Sequence, residues 1–162
     1  MFAIRYVALL ALVVWLGGMI LLGALVAPST FRVLQTSDGE AGRVLAGSLF
    51  GEILRLFHVL AYACGAIILA CLLVMKFVGP PPRAFVLRAA IVVVMLGIAL
   101  YSGGPVSREI VRVQAQVTGP MNRLADNDPR RMRFDRLHQT STTLMTINMA
   151  LGLVLLFWYV RE

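Results

Sequence analysis

Residues 6–27, YVALLALVVWLGGMILLGALVA, hold no charged side chain. Wound as an α-helix they reach about 33 Å, enough to cross the hydrocarbon core of a bilayer. Apolar on every side, such a segment has no face to give to water. Three further runs share this character, at residues 53–75, 84–101 and about 140–160. A chain of 162 residues that is 59% hydrophobic, with mean hydropathy +0.83, has too little polar surface to cover four such runs in water. In lipid every backbone N–H and C=O must be satisfied within its own segment, and uninterrupted apolar runs lack the alternation that closes a β-barrel. The expectation is therefore an all-α fold: a four-span antiparallel transmembrane helix bundle, one integral membrane domain over residues 1–162. The first run is longer than the roughly 7–15 apolar residues of a signal peptide, and Leu25-Val26-Ala27 is a poor cleavage site, so it reads as a retained span.

Signals at the ends of the runs predict helices that continue past the membrane on one side. Ser37-Asp38-Gly39-Glu40 fits a capping box, with Ser37 as N-cap and Glu40 at the third helical position. Asp128-Pro129 places an acidic N-cap before a proline in the first helical position. Val106, Ile110, Val113 and Val117 recur at helical spacing between charged residues, the pattern of an amphipathic helix. Pro28 and Gly103-Gly104-Pro105 fall where the first and third spans leave the bilayer, and each is read as a kink that does not end its helix. The opposite side needs only a short stiff turn, Gly79-Pro80-Pro81-Pro82. The extended side carries ten arginines from Arg32 to Arg136, against Arg5, Lys76, Arg83, Arg88 and Arg161 on the other. That count puts the extended side in the cytoplasm of a cell membrane, on a bacterial reading the inner membrane, although seven acidic residues on the same side oppose it.

The net charge of +7 does not point to nucleic acid, because the basic residues lie between apolar spans and no basic-aromatic recognition motif accompanies them. Anionic membrane lipids are the expected partners of that charge. A homo-oligomer stays open. Cys64 and Cys71, seven residues apart on one helix face, are too far apart to bridge and read as buried small hydrophobes. The sequence has no Ser-His-Asp pattern, HExxH, phosphate-binding glycine loop or dinucleotide fingerprint, and the expectation is a protein without catalytic residues.

Small residues dominate parts of two spans: Gly17, Gly18, Gly23 and Ala27 in the first, and Ala61, Gly65, Ala66 and Ala70 in the second, with Gly47 and Gly51 just before it. These let helix backbones approach closely. His58 lies about a turn and a half into the second span and His138 opens the fourth, so both imidazoles fall near one membrane face and are weak candidates for a haem or transition-metal site. Arg55, with Glu52 three residues before it, forms a charge cluster at the entry of the second span, with the basic run Arg130 to Arg136 as a second source of partners. The fourth span begins with Thr140, Ser141, Thr142, Thr143, Thr146 and Asn148. Ser and Thr return a hydrogen bond to the preceding turn, whereas Asn148 should face another helix or a wet cavity. Met145 and Met149, with Cys64 or Cys71, offer soft ligands to Cu(I), although methionine at helical spacing is usually core.

Val14-Trp15-Leu16-Gly17-Gly18-Met19, Val26 through Leu34 with Phe31-Arg32, Leu49-Phe50, and the run ending Arg136-Leu137-His138 followed by Ser141 resemble the transmembrane protein 205-like family, whose bacterial members are filed as a domain of unknown function. The resemblance implies a four-span membrane protein and singles out Trp15, Gly17, Gly18, Phe50, His138 and Ser141; His58 is outside its motif. The leading functional expectation is a non-enzymatic bundle, with no cofactor, whose polar inner face binds or helps to move a small ligand or ion. Its candidate residues are His138, Ser141, Asn148, Arg55 and Trp15. The alternatives are a haem- or metal-binding redox protein using His58 and His138, and a structural or assembly factor acting through the amphipathic extensions.

Overall fold

The computed structural model describes residues 2–78 and 84–161, so the expected Gly79-to-Pro82 turn lies outside the described residues. Among them the fold is all-helical, with α1 Phe2–Leu21, α2 Ala27–Val78, α3 Phe85–Tyr101, α4 Ser107–Ala115 and α5 Pro129–Val160. Five-residue π-helical turns, Leu22–Val26 and Ser102–Val106, join α1 to α2 and α3 to α4 without a loop. Each π-turn lies at a proline, Pro28 just after the first and Pro105 within the second. A proline supplies no N–H to the preceding turn and its ring crowds that turn's carbonyl; a widened turn relieves both and lets the helix run on.

Among the described residues three helices are long and apolar enough to cross a membrane: Phe2–Val78, Phe85–Ala115 and Pro129–Val160. The sequence leads one to count four, and the difference arises because the first two apolar runs are joined by helix. That joining helix is broken at one corner. Asp38 (φ −130°, ψ 16°) and Gly39 (φ 54°, ψ −114°) leave the helical region, and Gly39 takes a left-handed φ that only glycine adopts without strain. Beyond it the chain folds back so sharply that a Cβ on Gly42 would run into the Leu34 carbonyl. Ser37 is not the N-cap that its motif suggests. Its hydroxyl donates back to the Val33 carbonyl at 3.0 Å, as the last turn of the incoming helix.

Side-chain pairings show how the helices lie. Phe31 meets Phe50 with ring centroids 6.3 Å apart, and farther from the corner Gly18 meets the Phe57 ring, so the two arms run antiparallel. α3 runs antiparallel to α2: the Tyr62 hydroxyl donates to the Ala99 carbonyl at 3.3 Å, and Gly65 packs on Leu96. α5 packs on both α1 and α3, with Gly23 beside Met145 and with Gly152 wedged between Leu16 and Met95. Gly18, Gly65 and Gly152 each sit where a Cβ would strike a neighbouring side chain, which is how small residues bring helices together in lipid. Gly17 and Gly51 meet nothing within 4 Å and have no such role.

The interior layers are filled by Leu12, Trp15, Met19, Ile68, Leu72, Val92, Met95 and Leu155, all essentially inaccessible. The outer surface is apolar too: Leu10, Val13, Ile20, Leu60, Ile67, Val93, Val94, Ile147 and Val154 are exposed, a surface suited to hydrocarbon rather than water. The corner, α4 and the start of α5 gather at one end of the molecule. There Glu40 pairs with Arg123, Glu109 with Arg133 (2.5 Å) and Asp126 with Arg131 (2.5 Å). Asp128 caps α5 as expected, accepting from the Arg130 N–H at 2.8 Å. The Arg130 guanidinium and that N–H together hold the Asp128 carboxyl down to about 2.

Candidate functional site

The polar interior is built around the π-turn Ser102–Val106. In that widened turn the Ser107 hydroxyl donates to the Ser102 carbonyl at 2.8 Å, and the buried Ser102 hydroxyl lies 3.5 Å from that of Ser141 on α5. The next residue, Gly103, presses against α2: a Cβ there would lie 2.6 Å from His58 Cδ2 and closer still to the Tyr62 hydroxyl. Only a glycine admits the imidazole at this point. His58 is buried, in ring contact with Phe57 and Tyr62, and its Nδ1 is 2.8 Å from the Leu54 carbonyl. A carbonyl oxygen only accepts, so Nδ1 carries a proton and donates it to Leu54.

Asn148 lies two helical turns beyond Ser141, about 10 Å farther from the extended end. It is 4% exposed; its Nδ2 donates to the Met95 carbonyl at 3.3 Å, while its Oδ1 is buried with no hydrogen-bond partner among the described residues. One turn deeper, Gly152 seals against Leu16 and Met95, and the layers beyond contain Leu12, Ile68, Leu72, Val92 and Leu155. The interior thus holds neutral polar groups toward the extended end and apolar layers beyond them, while the opposite end buries Arg88. Such an arrangement offers hydrogen-bond acceptors and hydroxyls, with no buried acid among the described residues.

The residues singled out from sequence are distributed differently. Ser141 and Asn148 belong to this interior. Trp15 is fully buried among the apolar core residues, where it fills space. Arg55 is not on the inner face: its side chain is 63% exposed and doubly bonded to Glu52, at 2.6 and 2.9 Å, on the outside of α2. His138 is exposed, stacked on Phe134 with ring centroids 6.2 Å apart. It therefore has surroundings unlike those of buried His58. Thr140, Thr142 and Thr146 each return their hydroxyl to the carbonyl four residues back. Met145 and Met149 pack against the core, Cys64 and Cys71 are free, and among the described residues no group of three or more His, Cys, Asp or Glu side chains is placed to hold a metal.

Tyr62, Ser102 and Arg88 were not singled out by sequence. Tyr62 stands one turn from His58 and Ser102 precedes the glycine pair, so spacing and neighbours could have found both. Arg88 is buried at the opposite end, donating to the Trp158 carbonyl at 3.4 Å with its guanidinium 5.2 Å from the Tyr159 ring. A cation there complements the last carbonyls of α5. Its place inside an apolar run was the available signal. Outside the interior, Pro129, Met132, Arg133, Arg136 and Leu137 line an open depression of about 510 Å³ on the first turns of α5.

No curated protein and no solved structure matches the chain. Residues 10–118 match the model of a domain of unknown function, a segment that contains His58, Tyr62 and Ser102 and stops ahead of Ser141 and Asn148. The match takes in more than half of the sequence, and the chain belongs to this family, DUF4149.

Proposed function

We propose that this protein crosses the membrane four times and that its polar inner face binds, or carries part-way across, a small polar ligand or ion entering from the extended end. The observation that carries the reading is Asn148, whose carboxamide oxygen is held in the interior with no donor among the described residues. A buried acceptor left unpaired costs about 1–3 kcal/mol, which a leucine would avoid. His58, Tyr62, Ser102 and Ser141 lie between that oxygen and the extended end, which puts several polar groups on the same side of it. Four crossings are supported by the corner at Asp38 and Gly39, which folds the Phe2–Val78 helix into two antiparallel apolar arms. A bacterial inner membrane, with the extended end in the cytoplasm, agrees with the excess of arginine there. Kinship with the transmembrane protein 205-like family is part of the same proposal, supported by Trp15, Gly17 and Gly18 inside the matched segment.

The test is chemical access. In a background without Cys64 and Cys71, Ser141→Cys and Leu155→Cys are treated in sealed vesicles with a small cationic thiosulfonate. Ser141→Cys is expected to react from the extended side and Leu155→Cys from neither side. An unreactive Ser141→Cys would show an inner face closed to small polar solutes and end this reading.

A further inference from the structure

We propose that the first turns of α5 form a headgroup site for an anionic phospholipid, with Arg136 holding the phosphodiester and the acyl chains descending the lipid-facing side of the same helix. This goes beyond the inner face and does not depend on it. Pro129, Met132, Arg133, Arg136 and Leu137 recur at intervals of three and four, so one side of the helix lines the 510 Å³ depression with two guanidinium groups among apolar neighbours. A phosphodiester beside a glycerol backbone needs that combination, and a guanidinium can grip two phosphate oxygens at once.

The ion pairs single out one arginine in this run. Arg130 is engaged by Asp128, Arg131 by Asp126, and Arg133 by Glu109. Arg136 makes no ion pair among the described residues. Depth points to the same residue. Arg136 lies four residues before Thr140, about 6 Å above the start of the apolar run. The headgroup layer on each side of a bilayer is roughly 5–8 Å thick. Arg130 and Arg131, another turn and a half outward, stand in water. Below Arg136 the same side of α5 continues through Thr140, Leu144, Ile147, Leu151 and Val154, with Ile147 and Val154 exposed, an apolar track for a chain attached to the headgroup.

A lipid phosphodiester and free phosphate present the same chemistry to Arg136, so the experiment separates them. The full-length protein, stripped of lipid in detergent, is titrated with phosphatidylglycerol, with phosphatidylcholine and with inorganic phosphate, and retained lipid is counted by native mass spectrometry. Phosphatidylglycerol should be retained over phosphatidylcholine, and R136Q should weaken its retention about fivefold, the loss expected for one interfacial cation. R136K should keep part of the binding. R43Q, which removes an equally unpaired and exposed arginine near the corner, should leave it unchanged. Equal retention of the two lipids would overturn the proposal, and needs no variant to be read. So would an equal loss in R136Q and R43Q, which would mean diffuse attraction, or displacement of phosphatidylglycerol by millimolar phosphate, which would mean a free-anion site.

Discussion

A carboxamide buried at 4% exposure with only one of its two polar ends bonded makes the interior less stable than a hydrocarbon side chain would. Asn148→Leu is therefore expected to stabilise the protein in detergent, by about 1 kcal/mol, read as a higher melting temperature. A melting temperature lowered by the substitution would mean that Oδ1 has a structural partner and that the residue is there for packing. Asn148 could be picked out of the sequence because asparagine, unlike the threonines around it, has no easy return bond to its own helix. Arg55 and His138 could not be placed in the same way. The sequence tells how far along a helix a residue lies, but its azimuth follows from the contrast between apolar and polar faces, and Thr140 to Thr143 are polar on every side of α5. The Arg55–Glu52 cluster read from the sequence is present; what the sequence left out is that both side chains point outward, where neither charge is buried.

Helix ends and joints were readable in kind more than in position. The Asp128-Pro129 start of α5 appears as expected, and the two prolines widen their helices without ending them. The corner between the first two apolar runs was also legible, but as a capping box at Ser37. A serine hydroxyl can serve the helix behind it as well as the one ahead, and here it bonds backward, so the break falls on Asp38 and Gly39. What holds the corner tight is Gly42, packed on the Leu34 carbonyl; backbone cannot give way as a flexible side chain does. Gly42→Ala is expected to cost about 1–3 kcal/mol by thermal unfolding, while Gly51→Ala, with open space around it, changes little or stabilises slightly. Equal melting temperatures for the two variants would contradict the geometry of the corner.

At the scale of the molecule, apolar runs, interleaved charges and the absence of alternation were enough to specify long helices packed side by side, because the bilayer allows few other solutions. Which helices touch was not legible, since contacts such as Gly18 on Phe57 or Gly103 on His58 depend on helix rotation and on the two π-turns that reset it. The inner polar face and the basic end depend on the proposed topology, which puts the corner and the Met121–Arg123 segment on one side of the membrane and the start of α3 on the other. Single cysteines at Asp38, Asn127, Phe2 and Ala84, in a protein lacking Cys64 and Cys71, probe it directly with a membrane-impermeant maleimide in vesicles of both orientations. Asp38→Cys and Asn127→Cys should be labelled from one side, and Phe2→Cys and Ala84→Cys only from the other. Labelling of Asp38→Cys and Ala84→Cys from the same side would mean that the second apolar run does not cross, and would contradict the four-crossing arrangement.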